Sequence, residues 1–148
     1  MRTIKSVLAL IAIVVITGCA ASGPLYSEIA SSIPPVSGDK GRIYFYRSST
    51  MFGAAITSDI RLNDRIVGRS VRGSFFYVDE PPENYTVSTA TEVERQLTLA
   101  LAAGETKYVQ TSVSFGVVAG RINSILASPN DAKAEIAELR YTDAPLKK

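Results

Sequence analysis

Apolar and polar positions divide this chain into three kinds of segment. From Val7 to Ile16 ten apolar residues run without a break. From Gly41 to about Ala127, β-branched and aromatic residues alternate with polar ones in short stretches, and after Ser128 the apolar spacing becomes that of a helix. Side chains change face at every residue of a strand and return every three to four residues on a helix, so each spacing predicts its element.

Arg42-Ile43-Tyr44-Phe45-Tyr46-Arg47 alternates and predicts the first strand, followed by a loop over 48–53. A second strand is predicted over 55–62, a turn at Asn63-Asp64, and a third strand over 65–68. The strand over 74–78 is stopped by Asp79-Glu80-Pro81-Pro82, because prolines have no N–H to give to a ladder. Residues 84–91 place Tyr85, Val87 and Thr89 on one face. Residues 95–101 set Leu97, Leu99 and Leu101 opposite Thr98 and Ala100. Ala103-Gly104 predicts a short hairpin connection, with the glycine supplying a positive φ, into a strand over 106–115; a last strand covers 121–127. Short strands at this spacing predict a mostly β domain, an antiparallel β-sandwich or small barrel of seven or eight strands.

One C-terminal amphipathic α-helix is predicted at about 129–140. Ser128 is its N-cap, Pro129 its first residue, and Asp131 stands in its first turn. Ala132, Ile136 and Leu139, flanked by Ala134 and Ala137, form the apolar stripe that would cover a sheet face or an edge.

The N-terminal run has a different purpose. Arg2 and Lys5 precede it, and Ile16-Thr17-Gly18-Cys19 closes it with small residues before the chain's one cysteine. The run is shorter than the roughly 18 apolar residues that a membrane-spanning helix needs, so it reads as a secretory signal peptide, residues 1–18. The closing residues resemble the lipobox of bacterial lipoproteins, in which the cysteine is acylated and becomes the first mature residue. That resemblance implies a covalent lipid on Cys19 and, with uncharged Ala20 next, the periplasmic face of a Gram-negative outer membrane. Residues 19–40 carry Gly23-Pro24, Pro34-Pro35 and Ser37-Gly38 and read as a flexible tether, with room for a helical turn or two at 25–30. Residues 41–148 are then the single periplasmic domain.

Cleavage also changes the charge. The chain has 16 basic and 14 acidic residues, and loss of Arg2 and Lys5 leaves 14 against 14. A neutral mature chain gives no reason to expect a nucleic-acid partner. With no histidine and no thiol left after acylation, Ser-His-Asp, Cys-His and histidine-rich zinc sites are all excluded. The carboxylates Asp59, Asp64, Asp79 and Glu80 sit at predicted turns or strand ends, where acidic residues are ordinary. Gly116 to Gly120 lacks the following lysine of a phosphate-binding loop. No enzyme activity and no cofactor beyond the lipid are expected.

Several stretches together resemble a family of small bacterial envelope lipoproteins catalogued as domain of unknown function 2846. They are Tyr44-Phe45-Tyr46-Arg47, the hairpin from Ile60 to Gly68, Phe75-Phe76-Tyr77, the turn and strand from Pro82 to Val87, and the segment from Gly104 to Val109. The resemblance implies a transthyretin-like or carboxypeptidase-regulatory-like β-sandwich and brings no catalytic residues. Where that family reads proline then glycine, this chain has Pro82-Glu83-Asn84, so Asn84 would supply any left-handed conformation there.

Two groups remain as candidate binding residues. Arg61, Arg65, Arg69 and Arg72 lie close in sequence, and a hairpin could gather some of them to meet phosphates or an acidic partner; a solvated edge whose charges deter strand pairing accounts for them as well. Tyr44, Tyr46, Tyr77, Tyr85 and Tyr108 could form an aromatic surface for sugar or protein, or be ordinary half-buried strand residues. The expected function is a non-catalytic interaction or structural module, tied to the membrane by its lipid and meeting an envelope protein. The alternative is a binding module for a small apolar or glycan ligand.

Overall fold

A computed structural model describes residues 21–142. The signal peptide and Cys19 lie outside the described residues. Among the described residues nine strands form two sheets packed face to face. The first sheet has the order β8-β7-β1-β4-β9, from β8 (Arg121–Leu126), β7 (Thr106–Ser114), β1 (Gly41–Arg47), β4 (Ser74–Glu80) and β9 (Arg140–Tyr141). The second has the order β3-β2-β5-β6, from β3 (Arg65–Ser70), β2 (Ser58–Leu62), β5 (Asn84–Ala90) and β6 (Glu94–Ala100). The fold is therefore a sandwich and not a closed barrel.

Alternation explains the core between the sheets. Ile43, Phe45, Phe76 and Val109 of the first sheet meet Ile60, Leu62, Tyr85, Val87 and Leu99 of the second, all buried. Leu99 points inward while Thr98 and Ala100 are exposed, as the leucine pattern predicts. Phe45 and Phe76, directly opposite in register, stack with centroids 5.1 Å apart. β1 is buried along its whole length because its outer face is covered too.

That cover is the C-terminal helix, α2 (Pro129–Ile136), whose Ala132 and Ile136 pack with Leu139 on Tyr46, Phe75 and Tyr108. Ser128 caps it, accepting from the Asp131 N–H. The helix ends before Arg140, short of the predicted end, because the chain beyond it is taken into sheet pairing. The Leu139 carbonyl accepts from Tyr26 N–H, Arg140 N–H donates to Gly73, and β9 runs parallel to the edge of β4.

Three further expectations need correction. Residues 103–104 do not close a hairpin. Gly104 has the expected positive φ, +73°, but joins β6 of one sheet to β7 of the other, and β7 lies parallel to β1. Buried Leu101 carries the chain across, and Gly104 N–H donates to Lys40. Asn84 has no positive φ; it starts β5, while Asn63 (+47°) and Asp64 (+66°) make the left-handed turn between β2 and β3. Nor is the segment before β1 all tether. Residues 23–33 dock on the domain through α1 (Tyr26–Ile29), with the Tyr26 ring edge-on to Phe75 at 5.4 Å and Ile29 and Ile33 beside the helix cluster. Apolar Tyr26, Ile29 and Ile33 outweigh the flanking prolines and serines.

Candidate functional site

The five tyrosines are divided by strand parity. Tyr44 and Tyr46 on β1, Tyr77 on β4 and Tyr108 on β7 point to the outer face of the first sheet, whereas Tyr85 points into the core between sheets. Tyr44 stacks on Tyr108 at 5.4 Å and tilts against Tyr77 at 5.5 Å. Arg42, bidentate to its cross-strand partner Asp79 at 2.6 and 2.7 Å, lies 4.3 Å over the Tyr77 ring. This would be an aromatic platform if it were open. Instead α2 and α1 close over it, and Tyr44, Tyr46 and Tyr108 are buried. Burial, with Glu135 and Asp131 nearby, pushes the Tyr46 hydroxyl up to about 12. The cleft left between Tyr26, Tyr44, Tyr108, Lys133 and Ile136 is about 70 Å³. Tyr85 donates to the Pro81 carbonyl at 2.8 Å and stitches the turn after β4.

The arginines do not converge. Arg65 pairs with Glu80 at one end of β3, and Arg69 pairs with Asp59 at 3.2 Å across the β2–β3 ladder. Arg61 donates to the Asp64 carbonyl at 3.1 Å. Arg72 lies past the far end of β3, where it reaches the Ser49 carbonyl at 3.4 Å and the Met51 sulfur. Three of the four carboxylates considered for chemistry, Asp59, Asp79 and Glu80, are thus held by arginines. No group of three or more potential metal ligands occurs among the described residues.

The structure brings together a different set, at the end of the sandwich where β1 and β7 finish. Residues 48–57 follow β1 and residues 115–120 follow β7, and the backbone of each loop is gripped at several points by a charged side chain. Arg47, buried at the end of β1, donates to the carbonyls of Ile56 at 2.6 Å, Gly53 at 2.7 Å and Ser70 at 3.4 Å. Burial, then the neighbouring Arg72 charge, holds its guanidinium below the ordinary arginine value. Glu92, in the turn between β5 and β6, accepts from the N–H groups of Val117 at 2.9 Å, Val118 at 2.8 Å and Ala119 at 3.2 Å, and pairs with Arg121 at 2.8 Å. Those backbone N–H groups, Val118 first, pull its carboxyl down to about 2. Gly116 is required here, since a Cβ would lie 1.5 Å from the Ala119 carbonyl oxygen.

What the two grips display is apolar. Met51 is 74% exposed, Phe115 83%, Val117 87% and Val118 91%, and Phe52 meets Phe115 edge-on at 4.8 Å. Sequence reasoning passed over this set. The available signal was an apolar Phe-Gly-Val-Val between strands, where a loop is ordinarily polar; Glu92, its holder, is distant in sequence and gave none.

An uncharacterized protein of Haemophilus influenzae is 28% identical over 106 residues, covering 71% of this chain and 62% of that protein, so the chain spans less than two thirds of this relative. No solved structure matches the chain at a significant level. Neither the relative nor the family description names a catalytic activity. Residues 37–122, from just before β1 into the start of β8, match one family model, and the chain belongs to that family, described as protein of unknown function (DUF2846).

Proposed function

We propose that this chain is a lipoprotein anchored through acylated Cys19 to the periplasmic face of the outer membrane, where its sandwich is a non-catalytic interaction or structural module with an envelope protein as partner. The observation that carries the reading is the sequence Ile16-Thr17-Gly18-Cys19 after an apolar run too short to span a bilayer. Two or more acyl chains suffice for stable anchoring, each buried methylene contributing about 0.8 kcal/mol. The packing supports a module over a ligand carrier. Between the sheets, the space bounded by Phe45, Ile60, Phe76 and Thr111 has no room for a water molecule. The 70 Å³ cleft under α2 is small beside the roughly 300 Å³ at which ligand pockets begin.

The test is the mass of the N-terminal peptide from envelope-purified protein, together with fractionation of Cys19→Ser. A diacylglyceryl-modified Cys19 in the parent, and loss of the variant from the outer-membrane fraction, are expected. An unmodified N-terminus, or a cleaved variant that still sediments with outer membrane, would overturn the reading.

A further inference from the structure

We propose that the end of the sandwich bearing Met51, Phe52, Phe115, Val117 and Val118 seats in the phospholipid interface beside the anchor, so that the domain meets the membrane in one orientation. The proposal deepens the lipoprotein reading and rests on it.

Scattered exposed apolar residues are normal, and Ile66, Val93, Ile125 and Leu126 are of that kind, but the four most exposed, Met51, Phe115, Val117 and Val118, share with Phe52 two loops that touch each other at one end of the domain. These loops are also held out. Glu92 fixes three successive N–H groups of one, and Arg47 fixes carbonyls of the other. The side chains are thus presented outward with little conformational freedom left to lose on insertion. Phenylalanine, valine and methionine are the kind of residue that enters the boundary between headgroups and acyl chains.

The path of the N-terminus selects a bilayer as the occupant. Ala21 lines a shallow cleft with Ser49, Arg72, Gly73, Glu138 and Arg140, so the described chain begins at this same end, with residues 48–57 next to it. Arg140 donates to the Gly23 carbonyl at 2.9 Å, and Tyr141 N–H to Pro24 at 2.8 Å, so the exit point is fixed. From Ala21 to Cys19 is two residues, which reach about 7 Å at full extension. An acyl chain on Cys19 therefore enters the bilayer beside the apolar loops. Arg72 and Arg140 flank the exit with one carboxylate, Glu138, set against them, which leaves this rim net positive toward an anionic surface. The opposite end offers Asn63, Asp64, Pro82, Glu83 and Gly104 beside Ile66, which is 38% exposed.

Two properties of the chain make the test direct. It has no tryptophan, and Cys19 is its one cysteine. The chain from Cys19 onward, coupled through that thiol to a maleimide phospholipid in vesicles of phosphatidylcholine and phosphatidylglycerol, carries the anchor whether or not cells attach one. In this form Val118→Trp should emit further to the blue, and brominated phospholipid should quench it at least about twofold more than Glu83→Trp at the other end. Adding Phe115→Asp and Val117→Asp should abolish that quenching while the coupled chain stays on the vesicle. Equal quenching at the two positions, or none at Val118→Trp, would overturn the proposal. So would a blue shift that grows with surface density and is not quenched by lipid, since a second copy would then cover the loops. The lipidation reading itself fails or stands separately, on the mass of the envelope-purified chain.

Discussion

The two ends of this sandwich solve the same problem in different ways. Where β2 meets β3, β4 approaches β5 and β6 crosses to β7, the connections are short and are held by backbone bonds to neighbouring segments. Asn63 N–H donates to Thr86, Leu101 N–H to Glu83 and Gly104 N–H to Lys40, at 2.8 to 3.0 Å. Exposed side chains only assist there: Arg61 donates to the Asp64 carbonyl and Glu105 accepts from the Ala102 N–H. At the other end two connections, residues 48–57 and 115–120, are longer, and buried or half-buried charges satisfy their backbone groups: Arg47 the carbonyls of one loop, Glu92 the N–H groups of the other. The second end is thus organised to display side chains rather than only to reverse the chain. A loop needing only to connect would not require a buried guanidinium, whose desolvation is costly.

The largest test of that contrast compares one arginine at each end. Arg47→Met leaves the Gly53, Ile56 and Ser70 carbonyls without their donor in a site that excludes most water. It should cost roughly 2–3 kcal/mol in urea denaturation, after allowance for the desolvation that the charge no longer suffers. Arg65→Met removes an ion pair whose arginine side chain is 52% exposed and should cost about 0.5 kcal/mol or less. Similar losses in the two variants would mean that Arg47 is no more than a surface contact and that the ends do not differ in kind.

How far the sequence shows this contrast depends on the range of the interactions. Faces are local, so Leu97, Leu99, Leu101 and the Ser128 cap were legible from alternation and capping chemistry alone. Neighbours are not. Alternation on β1 is the same whether β7 runs parallel or antiparallel beside it, and a positive φ at Gly104 serves a sheet crossing as well as a hairpin. Close spacing of Arg61, Arg65, Arg69 and Arg72 suggested a cluster, but Asp59 on adjoining β2 and Glu80 on β4 of the other sheet claim two of the four. Parity along β1 did set Tyr44 and Tyr46 on one face; that α2 would bury that face required knowing where the helix docks. The apolar residues from Phe115 to Val118 were visible in the chain, yet their grip comes from a carboxylate on another hairpin.

That carboxylate gives an intermediate, local effect. In the folded chain its pKa of about 2 lies below the ordinary 4.5, so its contribution to holding the loop is fully present above about 4.5. It fades as pH falls through about 2. The amide signals of Val117, Val118 and Ala119 should therefore titrate together with a midpoint near 2. At neutral pH, Glu92→Gln should speed exchange of these three amides roughly tenfold with little change in the unfolding midpoint. Amides at the other end, such as that of Asn63, should not respond. A titration near 4.5, or exchange unchanged in Glu92→Gln, would show that the loop is held by something other than this charge.

The smallest effect is expected at the end that already closes by itself, and its sign is opposite. Asn63 and Asp64 both have positive φ, the backbone of the two-residue turn that favours asparagine followed by glycine. Asp64 has a Cβ in a region that L-residues adopt at a cost, and its contribution to the neighbouring Arg61 is through its main-chain carbonyl, which glycine retains. Asp64→Gly relieves that strain and at the same time gives the unfolded chain more freedom to lose on folding. The two terms oppose, and relief should win narrowly because the turn requires the conformation. A gain of about 0.5 kcal/mol is expected, seen as a higher urea midpoint with an unchanged slope. Amide exchange at Val117 to Ala119 should stay as in the parent, because the change is confined to a turn at the far end. A loss of stability would show that the Asp64 side chain has a role in the turn that its backbone does not account for. A response in the 115–120 loop would show that the two ends are coupled through the sheets.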